Sequence, residues 1–238
     1  MAKDRRQRVK KGEEAKVVYT HGKKKNAIAN AVIQPGKGSI TVNRIPLSNV
    51  ELCKEVKALT EKLVREANII INQKFRDQFP SKWNIENGLK KRVSMNMDHI
   101  LNYEVSFSAN KKLGILEIDF SGGHLAGSTE SLAKKGLIEI IDTQQLSTGC
   151  WEYNFKELFT GKEFTKTEFH TSWNERTIIK NSWDVFDNPL IPEYPVEGGK
   201  IGKFAIIEDK ELTVVIKKHE KDINIITSAP YKVKGKLT

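Results

Sequence analysis

The sequence predicts an α+β protein dominated by strands, and three observations predict it. Segments with strand character follow one another in hairpin order: 104–108 and 113–120 around Asn110-Lys111-Lys112, then 203–208, 211–218 and 222–227 near the end. Helical spacing is confined to two stretches, one after Glu51 and one after Ser172. Finally, a chain of 238 residues with 38% hydrophobic and 29% charged side chains can bury a full core, as one large or two small domains.

Charge divides the chain. The net charge is +10, but residues 1–90 carry +11 and residues 91–238 carry −1. We read residues 1–90 as a basic N-terminal region of β-hairpins plus an amphipathic helix, and residues 91–238 as a separate domain that holds the chemistry. The basic half suits a phosphate backbone or a solvated cationic arm. No run of 18 apolar residues exists, which excludes a membrane-spanning helix, and the basic start lacks the apolar segment of a signal peptide. Cys53 and Cys150 allow at most one disulfide and read as small hydrophobes. No Asp, Glu, His or Cys cluster has metal-ligand spacing, so neither a metal nor a cofactor is expected.

The elements follow in order. Residues 1–16 form a polar tail; residues 16–20 and 27–33 read as strands, and the turn 34–38 leads to a third strand at 39–45. From Glu51 to Phe79, Leu52, Val56, Leu59, Leu63, Ala67 and Ile70 recur at helical spacing, with Ser48 or Asn49 as cap and Pro80 as stop. Residues 80–92 read as a linker or short helix. Strands follow at 137–142 and 150–155. Ser172 with Glu175 gives a capping box, opening a helix that buries Ile178, Ile179, Trp183 and Phe186 and stops at Asn188-Pro189. Residues 189–199, with three prolines and two glycines, read as an irregular loop. In the final strands, Leu212, Val214 and Ile216 alternate toward one buried face.

Chemistry concentrates between Asp98-His99-Ile100-Leu101 and Ser121-Gly122-Gly123-His124, which hold two of the five histidines. A histidine pair supplies both a general base and a general acid near neutral pH. RNA cleavage needs that combination: one group takes the proton of the 2′-OH, another protonates the departing 5′ oxygen. The strand pair between the histidines returns the chain to its start, so both imidazoles can face one cleft, with His99 as base and His124 as acid. Gly122-Gly123 permits close backbone approach just before His124. The alternative is two unrelated surface histidines. His219 stands in a charged turn and reads as solvated.

Four segments occur in one order: Asp98-His99-Ile100-Leu101, Gly122-Gly123-His124, Lys166-Thr167-Glu168-Phe169 with Trp173, and Thr227-Ser228-Ala229-Pro230-Tyr231. Together they resemble the bacterial branch of the EndoU endoribonuclease family, found as the C-terminal toxin of contact-dependent growth-inhibition proteins, over roughly residues 95–233. The resemblance implies two antiparallel β-sheets with flanking helices, RNase A-like, and the active site between them. It implies a metal-independent endonuclease that cuts single-stranded RNA, transfer RNA among the candidates, to a 2′,3′-cyclic phosphate. It also implies a delivered effector acting in the target-cell cytoplasm, and a cognate immunity protein as partner. His99 and His124 match the family's two histidines, Thr227 its hydroxyl residue and Tyr231 the aromatic bordering the base; the family's lysine falls at Lys166, with Lys162 a rival. Two departures stand out: the 25-residue gap between the histidines is long, and His170 stands where the motif has proline. Thr227 is otherwise a strand-end hydroxyl capping a turn, and Tyr231 a half-buried anchor beside Pro230.

A second resemblance points elsewhere. Gly22-Lys23-Lys24-Lys25-Asn26-Ala27-Ile28-Ala29, with Pro35-Gly36-Lys37-Gly38-Ser39-Ile40-Thr41-Val42-Asn43, resembles the opening of the ninth small-subunit ribosomal protein, although that family's basic C-terminal tail is absent. It implies the alternative, a non-enzymatic RNA-binding or ribosome-associated protein.

Overall fold

The computed structural model describes residues 17–24, 27–33, 41–42, 45–110 and 115–234. Contacts divide the chain into Met1–Val50 and Glu51–Thr238. In the first unit, β1 (Val18–Lys24) pairs antiparallel with β2 (Ala27–Ile33), Val18 opposite Ile33. Where one strand was expected over 39–45, β3 (Thr41–Val42) pairs with β4 (Ile45–Pro46). The expected tail at 1–16 and turn at 34–38 lie outside the described residues.

The second unit is α+β. Helix α1 (Leu47–Ala67) enters it, and α2 (Gln73–Gln78) follows, so the single helix expected over 51–79 is two. The break has a hydrogen-bonding cause. The Asn68 amide donates to the Tyr103 carbonyl (2.7 Å) and accepts from its N–H (3.1 Å). Asn102 likewise takes the N–H of Ile69 (2.9 Å) and donates to its carbonyl (3.1 Å). These two side chains satisfy backbone groups that a continuing helix would otherwise pair.

Residues 80–92 are neither linker nor helix but a hairpin, β5 (Lys82–Glu86) and β6 (Leu89–Met95). Its tip is Asn87-Gly88, both at positive φ (51° and 78°), the pair a tight hairpin turn favours. Helix α3 (Met97–Leu101) follows, capped by the Asn96 side chain. Next come the antiparallel pair β7 (Tyr103–Asn110) and β8 (Ile115–Gly122), and α4 (Ser128–Lys134). β9 (Ile138–Gln145), β10 (Trp151–Glu157) and β11 (Glu163–Glu168) form a three-stranded antiparallel sheet. Helix α5 (Glu175–Asp187) is capped by Asn174, whose Oδ1 accepts from Thr177 N–H (2.9 Å); Ser172, the expected cap, instead bonds His170 Nδ1 (2.7 Å).

The stretch expected as loop contains β12 (Ile191–Val196) and a turn of 3₁₀ helix. Pro192 and Pro195 are tolerated because β12 is an edge strand, where a missing N–H leaves no partner unpaired. Then come β13 (Lys200–Ile207), β14 (Lys210–Lys218) and β15 (Asp222–Ala229). The large sheet has order β12-β13-β14-β15-β6-β5. Its β15–β6 pair is parallel, Ile223 beside Val93, so the expectation of two purely antiparallel sheets is corrected: the sheet is mixed. That pairing also moves the expected boundary at residue 90, since β5 and β6 complete the sheet that β12–β15 begin.

Two cores result. Leu212, Val214 and Ile216 are fully buried and meet Ile178, Ile179, Trp183 and Phe186 of α5. A second core gathers Val64 of α1 with Tyr103, Phe120 and Phe155. Both cysteines are free thiols. Among the described residues no helix is long and apolar enough to cross a membrane.

Candidate active site

Helix α3 leaves its last carbonyls without intrahelical partners. The chain returning from β8 supplies them: Gly123 N–H donates to the carbonyls of Asn102 (2.8 Å) and His99 (3.3 Å), and His124 N–H to that of Ile100 (3.1 Å). This close crossing requires glycine. At Gly122 (φ 67°) a Cβ would overlap the main-chain oxygen of His99, and at Gly123 (φ 73°) it would overlap the Tyr103 ring. The 25-residue interval therefore closes on itself, and the two histidines lie within electrostatic reach of one another.

Both rings are engaged through Nδ1. His99 Nδ1 lies 2.8 Å from Glu104 Oε2. His124 Nδ1 lies 2.8 Å from the Thr167 carbonyl, which only accepts. The proton of neutral His124 therefore sits on Nδ1 and its Nε2 keeps the lone pair, while the Glu104 contact engages His99 through Nδ1 and leaves its Nε2 outside that contact. His124 is held by its main chain as well: its carbonyl accepts from Phe169 N–H (2.7 Å), and its ring meets that of Phe169 edge-on, centroids 6.3 Å apart.

Lys166 joins the pair from β11, on the face that also carries Phe164 and Glu168. Burial pushes its ammonium downward in pKa, and Asp119 pulls it back. His124 is pushed down to about 4, first by burial and then by the positive charges of Lys166 and His99, against the upward pull of the Thr167 carbonyl. It is neutral at neutral pH. Lys162, the rival lysine, forms an ion pair with Asp119.

Thr227 and Tyr231 sit less directly. Thr227 lies on β15 beyond the point where Ile225 accepts from Asn96 N–H (2.9 Å), so its strand packs against α3. Its Oγ1 is buried with no hydrogen-bond partner. Tyr231 follows the strand; its carbonyl accepts from Thr213 Oγ1 (2.7 Å), and burial with the Glu152 charge raises its phenol. No hydrogen bond joins either residue to an imidazole among the described residues. His170 stays in a turn with Ser172, and His219 is exposed.

Sequence reasoning missed Glu104 and Glu168. Glu104 stands five residues after His99, a spacing that becomes a contact only because α3 ends at Leu101. Glu168 is fully buried, and its carboxylate takes the N–H groups of Gly127 and Thr129, both at 2.6 Å. Burial raises its pKa and those donors oppose the rise. The signal in the sequence is a carboxylate two residues from Lys166 on the strand face that also carries Phe164.

No group of three His, Cys, Asp or Glu side chains is placed to hold a metal among the described residues. No family model and no solved structure matches the chain.

Proposed function

We propose that the chain is a metal-independent endoribonuclease of the EndoU type, cutting single-stranded RNA to a 2′,3′-cyclic phosphate. One observation carries the reading: two histidines within electrostatic reach of each other, each engaged at Nδ1 by an acceptor, leave Nε2 for substrate, with Lys166 acting on His124. The low pKa of His124 favours it as the base, the reverse of the assignment expected from sequence. His124 Nε2 takes the 2′-OH proton, O2′ attacks phosphorus, and the P–O5′ bond breaks as His99 Nε2–H delivers its proton to the leaving oxygen. Glu104 accompanies the charge of that imidazolium. Lys166 offsets charge on the nonbridging oxygens. The Thr227 hydroxyl, buried and without a protein partner, is free to donate to one of them. Tyr231, 39% exposed, offers a face for the neighbouring base.

The proposal extends to context through the sequence resemblance: an antibacterial toxin acting in the cytoplasm of a target cell, transfer RNA among its candidate substrates, with a cognate immunity protein as partner. Incubation of the pure chain with RNA tests the chemistry, and cyclic-phosphate ends are the expected product. The second reading, a non-enzymatic RNA-binding or ribosome-associated protein, draws on the +11 charge of residues 1–90 and predicts binding without cleavage.

A further inference from the structure

The large sheet has a second face, opposite α5. Val93, Ile223, Ile225 and Ile216 point into the core with α5, so their neighbours Arg92, Ser94 and Asn224 point the other way. Hairpin pairing sets Trp83 opposite Arg92 and Ile85 opposite Lys90, which puts all four on this outward face. A register shift between Val215 and Ile216 brings Thr227 of β15 to it as well, opposite Val215. Trp83 is 62% exposed, and Lys90 Nζ lies 4.6 Å from its ring centroid. Arg92 donates from Nε to Ser81 Oγ (3.1 Å). Asp222 stands beside Arg92 in the parallel register, yet neither Arg92 nor Lys90 pairs with a carboxylate among the described residues.

We propose that Trp83, Lys90 and Arg92 form a binding surface for single-stranded RNA, continuous with the histidine cluster. Two cations without carboxylate partners beside a largely bare indole match a strand that offers phosphates and unpaired bases together. Cations on an edge hairpin also discourage aggregation, but that purpose needs no exposed tryptophan. The direction fits the site: β6 runs from the hairpin tip straight into α3, and Arg92 lies roughly 10 Å along the strand from Met95, three residues on at the rise of a β-strand. The RNA identity rests on the ribonuclease reading; the surface itself does not.

The test uses the full chain in a His99→Ala background and the fluorescence anisotropy of a labelled 12-nucleotide single-stranded RNA. Trp83→Ala should weaken binding about 5- to 100-fold, the range for loss of one stacked base, while Trp83→Phe keeps most of the affinity. Lys90→Gln with Arg92→Gln should lower the slope of log affinity against log salt by about 1.4, two phosphate contacts on a single strand. Affinities within twofold of the parent and an unchanged salt slope for all these variants, or equal binding of the paired duplex, overturn the proposal. A dinucleotide cut by the chain without the His99→Ala change separates the two ideas: cleavage with Trp83-independent RNA binding sinks only this surface. Trp83-dependent binding without any cleavage sinks only the ribonuclease reading.

Discussion

The Nδ1 of His124 lies 2.8 Å from the main-chain oxygen of Thr167, one residue before the fully buried Glu168. A carbonyl accepts but never donates, so this contact alone fixes which nitrogen of His124 is left for substrate. It also makes the ring depend on the segment that Glu168 ties to the start of α4.

Glu168→Gln keeps shape but replaces one acceptor oxygen with an amide that faces a buried N–H. We expect a loss of about 1–3 kcal/mol in denaturant unfolding, the cost of one unsatisfied buried donor. The His124 imidazole resonances should shift in the same variant, because the Thr167 carbonyl moves with its neighbour. Unchanged stability and unchanged His124 titration by NMR would remove this role from Glu168.

His124 titrates near 4 when folded and near 6.5 when unfolded, so between those values the unfolded chain binds the extra proton. Stability should therefore fall as pH drops from about 6.5 toward 4, by on the order of 2–3 kcal/mol from this group. His124→Asn should flatten that part of the curve. Urea midpoints at several pH values read it directly, and identical slopes for parent and variant would contradict the burial of a neutral His124.

Gly122→Ala places a methyl group on the His99 carbonyl at a positive φ. Strain and overlap together should destabilise the fold by roughly 2–4 kcal/mol. Gly136→Ala, also at positive φ (70°) but with open space around its Cβ, is the control and should lose less. Thermal unfolding compares the two.

His99→Ala and His124→Ala should each reduce RNA cleavage by about 10²–10⁴, the range for a general acid or base. The double variant should lose less than the product, since both groups serve one transition state. For kcat/KM, the acid limb of the pH profile should follow His124 and lie well below an ordinary histidine value. Rates from single-turnover assays check all three statements.

Parts of this fold are legible in the sequence because one residue type decides them locally. The α5 stripe, Ile178, Ile179, Trp183 and Phe186, and the alternation of Leu212, Val214 and Ile216 point to burial whatever surrounds them. Gly122-Gly123 signals a close approach before the partner is known. Other parts depend on distant groups. The break after Ala67 follows from Asn68 and Asn102, 34 positions apart in the chain, and no periodicity announces it. The β5–β6 hairpin is different: Asn87-Gly88 is a turn signal written in the sequence itself. At the site, residue types suggest the histidines and Lys166, but which nitrogen each ring engages is set by Glu104 and by a backbone carbonyl that no motif encodes.

The proposed reaction is attack by a 2′-OH at a site built from His99, His124 and Lys166. The most direct measurement is mass spectrometry of the products from a short RNA, beside the same sequence with a 2′-deoxy nucleotide at the cut position, in the presence of chelator. A 2′,3′-cyclic phosphate from the RNA and an intact deoxy strand are expected. Cleavage of the deoxy strand, loss of all activity with chelator, or a linear phosphate as the first product would contradict it.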